Sequence, residues 1–189
     1  MKVIQLHQEE KQLIMLAVEN NRQAQQQIYA KFSSKMLSVC RQYIKDIHHA
    51  EDVMITGFMK VFTNLKNFEH KGSFEGWIRR IMVYECIDFL RVKKNNFNHQ
   101  DIEDVTISEN ESVYEMEDFS VDDIQNMIDN LPDGYKMVFN LYAIEGYKHQ
   151  EIAEMLKISE GTSKSQLSHA RKLLQQQKKK KKKKLNGTK

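Results

Sequence analysis

With 189 residues, 40% of them apolar, the chain is long enough for one ordinary domain or two small ones. One proline and seven glycines leave long runs of helix formers, which excludes a mostly β architecture and predicts an all-α fold. The net charge of +3 conceals an asymmetry: Asp101 to Asp123 holds ten acidic residues and no Lys or Arg, Lys66 to Lys94 holds seven basic residues against four acids, and Lys157 to Lys184 holds eleven against one. Two basic modules joined by an acidic connector suit phosphate backbones, although two solvated faces and a solubilising linker share the same pattern.

In chain order, the start "MKVIQLHQEEKQLIML" is broken by charge before an apolar signal core forms, and no later run approaches the ~18 apolar residues of a membrane span, so a cytoplasmic protein is expected. From Gln25 to Ile44, the residues Ile28, Phe32, Met36, Leu37, Cys40 and Ile44 recur at three- and four-residue steps, the stripe of an amphipathic helix. After "DIHHAED", Met54, Phe58, Val61, Phe62 and Leu65 line a second helix. A third, from Phe74 to about Val92, offers Trp77, Ile78, Ile81, Cys86, Phe89 and Leu90, and the three stripes together form a bundle. Cys40 and Cys86 lie far apart with no partner at ligand spacing and read as reduced, buried thiols. His48 and His49 beside Glu51 and Asp52 do not make a metal site, because adjacent histidines point to different sides of a helix and no third ligand is suitably spaced.

Residues 95–119 lose periodicity, carry the acidic run and read as a flexible linker. A second module follows. Val121, Ile124, Met127, Ile128 and Leu131 form a stripe that stops at "LPDG", with Pro132 placed to start a helix carrying Val138, Leu141 and Tyr142 and ending at a left-handed Gly146. "KHQEIAEMLKI" then groups Ile152, Met155 and Leu156, with Ala153 beside them. A last helix starts from Ser159, a good N-cap, with Glu160 at the positive end of its dipole. In it Leu167, Ala170 and Leu174 face inward, while Thr162, Lys164, Ser165, Ser168, Arg171 and Lys172 face outward. A short helix, a tight turn and a helix with a hydroxyl-rich basic face make a helix-turn-helix, whose second helix enters the DNA major groove. Seven consecutive lysines, Lys178 to Lys184, follow; like-charge repulsion predicts a disordered tail over 178–189 that supports nucleic-acid binding without sequence preference.

Together, "AEDVMITGFMKVFTNLKNF", "GSFEGWIRRI", "IDFLR" and "LPDGYKMVFNLYAIEGYKHQEIAEMLKISEGTSKSQLSHARKLL" resemble, in order and spacing, the extracytoplasmic-function sigma factors, small two-domain specificity subunits of bacterial RNA polymerase. The resemblance implies an N-terminal extension over 1–9, region 2 over 10–94, the acidic linker over 95–119, region 4 over 120–177 and the lysine tail. It implies that Glu51, Asp52, Ile55, Phe58 and Lys60 dock on core RNA polymerase. It implies that His70, Lys71, Ser73, Phe74, Trp77, Arg79, Arg80 and Tyr84 capture the unpaired minus-10 strand, where bases leave the stack and rest on aromatics beside cations. For Trp77, core packing is the stronger expectation. It also implies that Gly161, Thr162, Lys164, Ser165, Gln166, Ser168 and Arg171 read the minus-35 duplex, and an anti-sigma partner is common in the family.

The chain departs from the family pattern at Ile55 and Thr56, where Gln-Glu is usual. It departs again at Tyr84 for Asn, Lys157 for Gly and Ser163 for Val. Ser163 is expected to thin the helix packing, and Lys157 to strain a turn that needs a left-handed residue. No Gly-rich phosphate loop, nucleophile elbow or acid-base pair occurs, so no catalytic residue, metal or cofactor is expected. Two rivals stand beside this reading. One is a helix-turn-helix regulator that never joins polymerase; the other is an all-α enzyme or ligand-binding protein with an incidental basic face.

Overall fold

The computed structural model describes residues 2–96 and 120–186, helical throughout apart from short connections, with no strand among them. The chain divides into two units, Met1–Leu90 and Arg91–Lys189, and each has its own buried core. Of the expected linker, Asn95 and Asn96 belong to a helix, and 97–119 lie outside the described residues.

The first unit opens with α1 (Lys2–Val18), a helix not anticipated from the sequence, held by the buried Ile14 and Ala17. Asn20 takes a left-handed conformation, and Asn21 then caps α2 (Arg22–Tyr43) by accepting from the Ala24 N–H at 3.0 Å. The stripe of α2 is buried as expected at Ile28, Phe32, Met36 and Cys40. Helix α3 (Ile47–Asn64) begins within "DIHHAED" and not after it, because Asp46 caps it by accepting the His49 N–H at 3.0 Å. That backbone hydrogen bond, above all, holds the Asp46 carboxyl below its ordinary pKa. A short 3-10 turn (Leu65–Asn67) and a loop with left-handed His70 and Gly72 lead into α4 (Phe74–Asn96).

In α4 the buried stripe runs Phe74, Ile78, Met82, Val83, Cys86 and Ile87, whereas the expected Trp77, Ile81, Phe89 and Leu90 are only half-buried beside it. The cause lies on the neighbouring helix. Gly57 of α3 has no side chain, and Met82 fills the space: a Cβ at Gly57 would lie 2.3 Å from the Met82 Sδ. Cys40 and Cys86 are both buried and unbridged.

In the second unit, Ser120 and Asp123 form a capping box on α5 (Val121–Asp129), with Ser120 Oγ accepting from the Asp123 N–H at 3.2 Å. Met127, Ile128 and Leu131 are buried; Val121, expected in the stripe, is exposed because it is the first residue of the helix and has no preceding turn to pack under. Pro132 precedes α6 (Asp133–Phe139) as expected. The single helix expected up to Gly146 instead widens after Phe139 into a π turn (Asn140–Ile144), closed by Glu145 N–H to Asn140 O at 3.0 Å. Gly146 is left-handed, the conformation anticipated for it.

Next come α7 (His149–Leu156), a left-handed Lys157 at φ 56° and ψ 46°, and α8 (Glu160–Asn186). Ser159 caps α8 by accepting the Thr162 N–H at 2.9 Å. Leu131, Tyr135 and Ala170 centre the core, flanked by Phe139, Leu173 and Leu174, and Val138, Leu141, Ile152 and Leu167 are buried nearby.

A disordered tail was expected over 178–189; helix α8 takes in 178–186 of it, and 187–189 lie outside the described residues. Helix α8 continues for 27 residues through all seven lysines. Lysine is a good helix former, and extending an existing helix costs far less than nucleating one. Lys181 also pairs with Asp123 of α5, and that hydrogen bond is the main reason the Asp123 carboxyl sits below its ordinary pKa.

Candidate nucleic-acid interface

On α3, Asp52, Ile55, Thr56, Met59, Lys60 and Thr63 are exposed at three- and four-residue steps and make one outward face. Ile55 and Met59, at 49% and 68% exposure, form an apolar ridge along it, with the half-buried Glu51 at its edge. Met59 was absent from the sequence-derived set, although its i+4 spacing from Ile55 would have flagged it once the core side was known. Phe58 is corrected: at 2% exposure it lies inside, edge-on to Tyr29 at 4.8 Å, because it falls on the side of α3 that carries Met54 and Val61. Lys60 is exposed but tied to Glu85 of α4 at 2.5 Å.

The loop and first turns of α4 hold the second group. Phe74, at 2% exposure, is also corrected from contact residue to core: it stacks at 5.9 Å on Trp77 and lies 5.7 Å from Phe32. Trp77 is half-buried over Phe68 and Phe74, in keeping with the core reading given above. His70 is exposed, its ring 4.8 Å from that of Phe68. Ser73 spends its hydroxyl as the cap of α4, accepting from the Gly76 N–H at 3.0 Å. Lys71 is exposed and pairs with Glu69 at 2.7 Å. Tyr84 is exposed with the Arg80 guanidinium 5.8 Å from its ring centre, and Arg79 is half-buried close by in sequence. Cations and partly open aromatics thus share one segment, the composition that single strands bind.

In the second unit, α8 presents Gly161, Lys164, Ser165, Ser168 and Arg171 on one exposed face, with Thr162 half-buried at its edge. The Thr162 hydroxyl pairs with Ser159 Oγ at 2.8 Å, and Ser165 Oγ donates to the Thr162 carbonyl at 3.0 Å. Lys164 pairs with Glu160 at 2.7 Å, and this is the chief cause of the lowered Glu160 pKa. Gln166 is half-buried at the edge of this face, with its amide beside Gly134 of α6, 3.4 Å from where a Cβ would stand.

Three residues bracing this face were not anticipated in those roles. The Arg171 guanidinium lies 5.6 Å from the ring centre of Tyr142, which stacks on His149 at 4.6 Å. His149 Nδ1 in turn meets Ser163 Oγ at 2.9 Å, and Ser163 is 0% exposed. The π turn sets Tyr142 on this side, and no sequence period signals such a turn.

Comparison with known proteins follows the same division. Residues 28–96 match Sigma-70 region 2, and residues 121–174 match Sigma-70 region 4. The chain is 29% identical over 157 residues to the ECF RNA polymerase sigma factor SigW of Bacillus subtilis, covering 76% of this chain and 83% of that protein. It is 24% identical over 163 residues to the ECF RNA polymerase sigma-E factor of Haemophilus influenzae, covering 78% and 84%. The solved structure of the sigma factor RpoE in complex with the anti-sigma factor NepR from Bartonella quintana shares the fold, with TM-score 0.52 and 19% identity over 82% of this chain and 96% of that one. Two matched regions in the order their cores are built place the chain in the sigma-70 family, among the ECF sigma factors that direct RNA polymerase to promoters.

Proposed function

We propose that the residues divide this work among three surfaces, within the boundaries 10–94 and 120–177 for the two working regions. The outward face of α3, from Glu51 and Asp52 through Ile55 and Met59, docks on core RNA polymerase. Here an apolar ridge takes the place of the usual polar pair. The segment around His70, Lys71, Trp77, Arg79, Arg80 and Tyr84 holds the unpaired minus-10 strand, with Ser73 and Phe74 supporting it as cap and core. The face of α8 from Gly161 to Arg171 reads the minus-35 duplex. The observation that carries this reading is α8 itself: Ser163, Leu167 and Ala170 face the core, while hydroxyls and cations occupy the opposite side.

Sigma factors are in general not catalysts, and this chain carries out no reaction of its own. No helix among the described residues is long and apolar enough to cross a membrane, in keeping with work beside polymerase in the cytoplasm. An anti-sigma partner, of the kind seen bound to the Bartonella relative, is part of the proposal.

The test is run-off transcription with core polymerase across a promoter library, beside a pull-down of core polymerase. Ile55→Lys with Met59→Lys is expected to lower core binding at least tenfold with helicity unchanged, since both side chains already face water. Wild-type duplex binding without core binding would instead establish the rival regulator that acts apart from polymerase.

A further inference from the structure

Helix α8 is unbroken from Glu160 to Asn186, so the base-reading face and the lysine run share one rod of about 40 Å. Lys179 lies eleven residues beyond Ser168, three helical turns along, and so keeps nearly the same register; both are exposed. That separation is about 16 Å along the axis. The major groove is only about 12 Å wide, so a helix seated there by Ser165 and Ser168 carries Lys179 past the groove edge to the flanking phosphate strand, with Lys180 open about a third of a turn round from it. Lys181 turns to the opposite side and clasps Asp123 of α5, which ties the rod to the body of its own unit. Lys178 and Lys181 are half-buried, whereas Lys179 and Lys180 are open.

From this continuity we propose that the lysine run is a second, sequence-independent DNA site: a phosphate clamp on the duplex flanking the base-reading contact, built into the recognition helix. The proposal rests on the reading of α8 as the minus-35 helix. A helix turns through a full circle every 3.6 residues, so only about three of the seven lysines can face one duplex at a time. Each neutralised phosphate adds about 0.9 to the slope of log affinity against log salt, which puts the contribution of the clamp at about 2 to 4.

The experiment uses the full chain and an upstream-element duplex, with affinity measured across potassium chloride concentrations. In the variant all seven lysines, Lys178 to Lys184, become Gln, which keeps helix propensity and removes charge. The expected result is a slope shallower by about 2 to 4 and an equal loss of affinity on cognate and scrambled duplexes. Hydroxyl-radical protection of the deoxyriboses along the flanking backbone should also disappear. An unchanged slope, retained flanking protection or a loss confined to the cognate duplex would overturn the clamp. A larger slope change on single-stranded RNA than on duplex would overturn its assignment to DNA. Run-off transcription with core polymerase is measured in parallel: wild-type failure there defeats the promoter reading, while the duplex slope is read without polymerase and stands or falls separately.

Discussion

Ser163 shows how one residue changes the character of a helix-turn-helix. This chain buries the Ser163 hydroxyl and meets it with His149 Nδ1 at 2.9 Å, so the two helices are joined by a polar bridge. Ser163→Ala removes one partner and leaves the other without its bond, at a cost of about 1 to 3 kcal/mol in stability. Urea denaturation of the full chain followed by circular dichroism checks this, and a change below about 0.5 kcal/mol would show that water replaces the hydroxyl. The expectation that Ser163 merely thins the packing therefore gives way to a specific bond.

Arg171 is the second case at this scale. Its guanidinium is packed by Tyr142, which restricts where the side chain can reach. Arg171→Ala is expected to lose about 1 to 3 kcal/mol of discrimination at one base pair. Tyr142→Ala should lose about 0.5 to 1 kcal/mol at the same pair and nothing further once Arg171 is already Ala. Competition binding on a panel of single-base duplex variants measures both, and additive losses would separate the two residues.

Among the elements, the turn between α7 and α8 is set by a residue poorly suited to it. Lys157 sits at φ 56° and ψ 46°, a conformation that costs an L-residue about 1 to 2 kcal/mol and glycine almost nothing. Lys157→Gly is therefore expected to stabilise the second unit by about 0.5 to 1 kcal/mol, after the added unfolded-state entropy of glycine is deducted, as read from its denaturation midpoint. A lower midpoint would mean that the Lys157 side chain contributes more than the strain it imposes. The Ser159 cap and the Pro132 start were legible in the sequence because their chemistry is local, whereas the left-handed turn at Lys157 was expected only from the family resemblance, lysine itself giving no such signal. The π turn was not legible: i to i+5 bonding leaves no repeating pattern, and its consequence, the placement of Tyr142, is tertiary. The lysine helix misled for a related reason, since repulsion judged on an isolated tract ignores the folded helix it extends and the carboxylate of Asp123 beside it.

For the whole molecule, two cores predict two responses to a single lesion. Phe58→Ala empties part of the first core and is expected to cost about 3 to 5 kcal/mol there. The one tryptophan, Trp77, lies in that unit, so its fluorescence reports on the first unit alone. The fluorescence transition should move to much lower urea while the circular-dichroism signal of the second unit keeps its midpoint. Movement of both together would show that the units unfold as one.

The sequence by itself determined the all-α class, two helical modules, their order, the terminal helix-turn-helix and the family, because helical periodicity, caps and motif spacing are written locally along the chain. Tertiary structure decided which side of each helix is left open. Phe58 and Phe74 lie in the core, and Ile55 with Met59 forms a ridge. The physical reason is that an apolar stripe about 100° wide leaves its edges undetermined, and only the neighbouring helix, through a gap such as the one Gly57 opens for Met82, settles which residues at those edges are covered.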